Sequence, residues 1–130
     1  ASKRYNSLLN QVKALNGSLL IAELDGAGRI LQMSAGMRIL YNTNIENVKG
    51  LYFYTLTNDN QDAKNQFNEF LDNVRSNGLA RRMQMVKRRK DTWILETYKL
   101  IEKEGLPPRI IVLAIDKTEE KELSEQLSIL

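Results

Sequence analysis

The chain reads as an α+β domain built on one antiparallel sheet, and three observations predict it. Two short apolar runs near the start, 18–24 and 29–33, are joined by the Gly-rich turn Asp25-Gly26-Ala27-Gly28. Three strand-like runs fill the last third, at 79–88, 92–101 and 109–115, separated only by short breaks. Between these two groups the apolar period lengthens to that of a helix. The order is helix, two strands, helices, three strands, helix, which is an α+β arrangement.

Each element has a local reason. At 1–16, Tyr5, Leu8, Leu9, Val12 and Leu15 recur at helical spacing, and Asn16-Gly17 supplies a stop. The apolar runs around Asp25-Gly26 then predict a β-hairpin. Ser34 is a suitable N-cap for a helix in which Met33, Met37, Leu40 and Tyr41 share one side. The Asn-rich stretch 42–62 carries only short apolar clusters and predicts one or two brief helical turns within loop. From about Asp62 the pattern is a clear amphipathic helix. Phe67, Phe70, Leu71 and Val74 lie on its apolar face, and Asn77-Gly78 ends it. In the next run Met83 and Met85 fall on one face of a strand. Residues 88–92 make a turn, and 92–101 is rich in β-branched and aromatic types. The stretch 102–108, with Gly105, Pro107 and Pro108, breaks that run before the last strand. The runs 19–24 and 110–115 are apolar on both faces, so the sheet needs cover on both sides. The central helices supply one cover; the N-terminal helix, a partner subunit or both supply the other.

Composition narrows the chemistry. At 130 residues, 42% hydrophobic and 27% charged, the chain suits one domain with a real core. A net charge of +3 does not by itself call for a polyanionic partner. Cysteine and histidine are both absent, which excludes disulfides, thiol nucleophiles, thiolate metal sites and an imidazole base. No apolar stretch approaches the roughly 20 residues of a membrane span, and no signal peptide opens the sequence, so a cytoplasmic location is expected.

Four stretches, in order, resemble a known family. "IAELDGAGRIL" at 21–31 resembles the opening hairpin of a PAS domain. "NVKGLYFYTL" at 47–56 resembles its glycine before a short helical turn. "KRRKDTWILETYKLI" at 87–101 resembles the turn into the penultimate strand. "AIDKTEEKELSEQL" at 114–127 resembles the Asp-x-Thr ending that joins such domains to a signalling helix. The resemblance covers roughly 17–122. It implies a five-stranded antiparallel sheet with central helices on one face, an N-terminal amphipathic helix at 1–16, a core at 17–117, and a linker helix beginning at 118–130. The family often has Asn where Ser34 stands and Gly where Thr92 stands; Ser still caps a helix, and Asp91-Thr92 still turns.

What the resemblance implies about function is a sensory module of a larger bacterial-type signalling protein. An output domain would follow Leu130, a histidine kinase first, with a diguanylate cyclase or transcription factor as alternatives. A ligand cavity in the family lies between the inner sheet face and the central helices. Here that position corresponds to Met37, Leu40, Tyr41, Phe67, Phe70, Leu71, Val74, Met83 and Met85, with ordinary core packing as the competing reading. Tyr41, Asn42, Tyr54, Thr97 and Tyr98 are the polar candidates. A flavin–cysteinyl adduct and a histidine-ligated haem are excluded by the missing residue types, while a non-covalent flavin or another small molecule stays open. Asp116 and Thr118 are the expected transmission residues. A homodimer is the expected assembly, and a ligand-free dimerisation or docking module is the alternative function.

Three further features carry plainer readings. The basic run Arg81, Arg82, Lys87, Arg88, Arg89 and Lys90 has no interleaved stacking aromatics and reads as a solvated strand edge, so no nucleic-acid partner is expected. Asp59, Asp62, Glu69 and Asp72 sit on or beside the polar side of the amphipathic helix and assemble no catalytic group. At the end, Asp116 with Glu119 has capping-pair spacing, with Thr118 as an alternative cap. Leu123, Leu127 and Leu130 then follow at coiled-coil spacing, and packing of that helix on its own domain is the equal alternative.

Overall fold

A computed structural model describes residues 19–87 and 90–129. The helix expected at 1–16, its Asn16-Gly17 stop, Arg88, Arg89 and Leu130 lie outside the described residues. The elements are β1 (Leu20–Asp25), β2 (Ile30–Met33), α1 (Ala35–Leu40), α2 (Ile45–Val48), a 3-10 turn (Phe53–Leu56), α3 (Gln61–Asn77), β3 (Leu79–Val86), β4 (Thr92–Ile101), β5 (Arg109–Asp116) and α4 (Thr118–Ile129). The five strands form one antiparallel sheet in the order β2-β1-β5-β4-β3. The first strand thus lies beside the last, in register from Leu20↔Ala114 to Asp25↔Arg109.

Short polar groups set the element boundaries. Asp25 organises the first hairpin: its Oδ1 accepts from the amides of Ala27 at 3.0 Å and Arg29 at 2.9 Å. Gly28 at the end of that turn has φ of 91°, and a Cβ there would stand 2.5 Å from the Phe67 ring and 2.7 Å from Leu71. Only glycine lets the hairpin lie this close to α3. Ser34 does more than cap α1. Its Oγ accepts from the Met37 amide at 3.3 Å and the Ile21 amide at 3.0 Å, and donates to the Leu19 carbonyl at 2.6 Å. It therefore fixes the helix to β1 as well as starting it. Asn60 Oδ1 caps α3 through the Ala63 amide at 2.8 Å, and Gly78, with φ of 78°, ends the helix in the left-handed region.

The inner face of the sheet carries Ala22, Leu24, Ile94, Tyr98, Ile110, Val112 and Ala114, all buried. They pack against Met37, Phe67, Leu71 and Val74 of α1 and α3. The outer face carries Met83, Leu95 and Ile115 in one cross-strand row, with Leu113 beside them. Met83 is 47% exposed and Ile115 48% exposed. Both faces are apolar, as the sequence predicts, but these two are covered to very different degrees. No helix among the described residues is long and apolar enough to cross a membrane.

Candidate functional site: a filled inner face and a lysine-rimmed cleft

The edge strand β3 sets the character of the inner face. Val86 at its end is buried, and alternation then places Ala80, Arg82 and Gln84 inward and Leu79, Arg81, Met83 and Met85 outward. Met83 and Met85 are therefore not part of the inner face, contrary to expectation. Their pairing partners, Leu95 and Trp93, lie on the outer face with them. An arginine takes the inward position instead, so Arg82 does not belong to a solvated edge.

Arg82 enters the core with full partners. Its Nε–H donates to Glu96 Oε1 at 2.9 Å, and an Nη2–H donates to the Tyr98 hydroxyl at 3.1 Å. Tyr98 in turn donates to the same Glu96 oxygen at 2.9 Å, closing a triangle. The Gln84 amide, with its oxygen turned toward Arg82, accepts from the guanidinium at 2.9 to 3.1 Å. The guanidinium carbon lies 5.3 Å from the Phe67 ring centre, 5.0 Å from that of Phe70 and 5.4 Å from that of Tyr98. The Glu96 side chain is 1% exposed and that of Arg82 17%. Burial raises the Glu96 pKa, with the Arg82 charge and the hydrogen bonds from Arg82 and Tyr98 pulling the other way. Burial likewise raises the Tyr98 and Tyr41 phenols, aided by the nearby Glu96 charge, so both hold their protons. Burial opposes the Arg82 charge, but Tyr98 and Glu96 keep its pKa above the ordinary value.

This network and its aromatic neighbours occupy the space between sheet and helices. Of the expected cavity residues, Met37, Leu40, Phe67, Leu71 and Val74 are buried together, and Tyr41 and Phe70 pack against them. Phe70 meets Tyr98 edge-on at 4.8 Å, Phe53 meets Tyr98 at 6.4 Å, and Tyr41 meets Phe53 at 5.8 Å. Among the polar candidates, Tyr98 faces inward, Thr97 lies on the opposite face, and Tyr54 packs against Phe67 at 5.5 Å.

Open space lies to one side. A cleft of about 650 Å³ is lined by Leu40, Tyr41, Asn42, Leu56, Val86, Lys87, Lys90 and Thr92. It sits where the end of α1, the 3-10 turn and the ends of β3 and β4 converge. Leu40 and Tyr41 are the only two expected cavity residues in its wall, and Asn42 is the only polar candidate besides Tyr41. Asn42 turns the chain out of α1 with φ of 50°, a left-handed conformation that Asn tolerates better than most residues. Leu56 and Val86 are additions that the sequence pattern does not single out, and Thr92 stands out there only as a turn residue. Lys87 and Lys90 were visible only as members of the basic run.

The wall of this cleft is tied to α4. Lys90 Nζ pairs with Glu122 Oε1 at 3.1 Å. At the start of α4 the Lys117 amide donates to the Trp93 carbonyl at 2.7 Å, and the Trp93 amide donates to Thr118 Oγ1 at 3.0 Å. The Thr118 hydroxyl and amide both donate to Asp116 Oδ1, at 2.6 and 2.9 Å. Lys121 places its ammonium 4.3 Å from the centre of the Trp93 ring. Asp116 and Thr118 thus act as a pair, and their partner across the sheet is β4 itself.

Comparison with known proteins bears on the fold. No family model matches the sequence, and no curated protein matches it. Solved structures do. The PAS domain of Bordetella pertussis BvgS matches with a TM-score of 0.67 at 19% identity, over 94% of this chain and 95% of that one. The PAS domain of an HTR-like protein from Haloarcula marismortui matches with a TM-score of 0.65 at 18% identity, over 88% and 96%. A PAS domain from a two-component sensor histidine kinase gives 0.64 at 9% identity, over 90% and 100%. This chain has the PAS fold.

Within this PAS fold the two departures from the family pattern are accommodated. Ser34 caps α1 as described, and the Thr92 hydroxyl donates to the Lys90 carbonyl at 3.1 Å, closing the turn into β4. Among the described residues no three His, Cys, Asp or Glu side chains are grouped so as to hold a metal ion.

Proposed function

We propose that this PAS domain is a sensory module of a larger cytoplasmic signalling protein. A small molecule or partner shifts the packing of the sheet against its flanking helices, and α4 passes the shift to an output domain, a histidine kinase first among the candidates. The observation that supports this most is the fastening of α4. Its first turn is tied to β4 through Trp93, Lys117 and Thr118, so a displacement of β4 is felt at the helix start. The neighbours from a sensor histidine kinase and from BvgS add to that reading. The trigger is neither a flavin–cysteinyl adduct nor a histidine-ligated haem, since the sequence lacks both residue types. A population shift of this kind requires the trigger to prefer one of two packings. The test is the signal-dependent output of the full-length protein carrying Asp116→Ala or Thr118→Ala. Each substitution is expected to weaken the response, and an unchanged response sinks this route.

A second reading, a dimerisation module, has its own support. Met83, Leu113 and Ile115 leave apolar area exposed on the outer face of the sheet. A second copy of the chain would cover it. Sedimentation of wild type and Ile115→Lys tests this: a dimer lost on substitution favours the reading, and a monomer in both forms removes it.

A further inference from the structure

We propose that the lysine-rimmed cleft binds a small carboxylate with an apolar body, whose charge engages Lys87 and Lys90 and displaces Glu122 from Lys90. The proposal deepens the sensory reading and rests on it only for the consequence at α4.

The lining divides into two kinds of surface. Leu40, Leu56 and Val86 offer an apolar floor, and Asn42, Thr92, Lys87 and Lys90 supply the polar wall. A volume of about 650 Å³ is in the range that holds an organic molecule rather than a lone ion. Among the described lining residues Lys87 and Lys90 are cations and none is an anion. Among the described residues no carboxylate pairs with Lys87. The net demand of the cleft is therefore one negative charge attached to an apolar group.

Lys90 already shows what kind of anion it accepts. Glu122, reaching back from α4, places both carboxylate oxygens near Lys90 Nζ, at 3.1 and 3.4 Å. A ligand carboxylate at the same ammonium would bring two like charges together, so ligand and Glu122 exclude each other. The exchange is easy, because Lys90 is 67% and Glu122 47% exposed at the side chain. An exposed pair of this kind resists only weakly. Loss of the Lys90–Glu122 pair releases one of the contacts that hold α4 against the turn leading into β4. By reciprocity, whatever moves α4 away from Lys90 raises affinity in the cleft.

The probe is 3-phenylpropionate, with 3-phenylpropionamide as its uncharged twin and inorganic phosphate as a bare anion, titrated calorimetrically against the 130-residue chain. The carboxylate is expected to bind, and the amide about tenfold more weakly. Lys90→Met is expected to weaken the carboxylate about tenfold while leaving the amide unchanged. Glu122→Gln is expected to tighten the carboxylate about two- to fivefold by removing the competitor. Trp93 is the only tryptophan and lies under Lys121 of α4, so its emission should shift on binding in wild type and much less in Glu122→Gln. Equal binding of carboxylate and amide, phosphate binding as well as either, or no tightening in Glu122→Gln overturns the proposal. These readouts concern the chain itself, whereas the sensory reading is tested on the output of the longer protein. Either can therefore fail alone.

Discussion

Two ion pairs in this PAS fold use the same chemistry under opposite conditions. Arg82–Glu96 lies in the core with nearly every donor and acceptor engaged, beneath three aromatic rings. Lys90–Glu122 joins two exposed side chains across a turn and a helix. The buried pair is bound into a closed network and cannot exchange its partner without breaking the core. The exposed pair is weak, and weakness makes it exchangeable. The difference shows how a region under the helices can be fixed while a region at the sheet edge stays responsive.

The sharpest way to break this contrast is to remove one member of the buried pair. Arg82→Met leaves the Glu96 carboxyl buried without its cation, with only the Tyr98 hydroxyl still donating to it, and is expected to cost about 3–5 kcal/mol in denaturant unfolding. A loss below 1 kcal/mol would place Arg82 with the exposed cations after all. The double variant Arg82→Met/Glu96→Leu should recover most of the loss, because no charge then stays buried. Tyr98→Phe keeps the ring and removes only the hydroxyl between Arg82 and Glu96, so about 1–3 kcal/mol is expected.

The pH dependence of stability sharpens the same point. The folded-state pKa of Glu96 is raised by burial, so over the window above an ordinary carboxylate pKa the folded chain holds a proton that the unfolded chain releases. Stability from this group is full below the unfolded pKa and declines as pH rises through the folded one. Relative to Glu96→Gln, wild type should therefore lose stability from about pH 4.5 upward, and parallel pH profiles would contradict this. The smallest effect belongs to the exposed pair. Lys90→Met or Glu122→Gln should change unfolding free energy by less than about 1 kcal/mol. A larger loss would mean that Lys90 is structural and not available to a ligand.

Much of the fold was legible in the residues. Asp25 and the glycines announced the hairpin, Ser34 and Gly78 marked helix ends, and the spacing of Phe67, Leu71 and Val74 gave the buried face of α3. Asp116 and Thr118 were legible as a unit, although the bond runs between those two side chains and not to Glu119. The face of β3 was not legible. Met83 and Met85 looked like interior residues because they are apolar, yet the parity of an edge strand is decided by its partner. Arg82 turns inward because Glu96 stands directly opposite it in register, a pairing that no local pattern reveals. The cleft is not legible for the same reason, since Leu40, Leu56, Val86 and Lys90 converge only once α1, the 3-10 turn and the ends of β3 and β4 are packed together.

The contrast between a fixed interior and a responsive edge can be measured directly by amide hydrogen exchange with and without 3-phenylpropionate. The expected result is altered exchange at Trp93 and the first turns of α4, with no change at Arg82, Glu96 and Tyr98. Altered exchange at those three core residues, with Trp93 and α4 unaffected, would contradict it and return the site of action to the inner face.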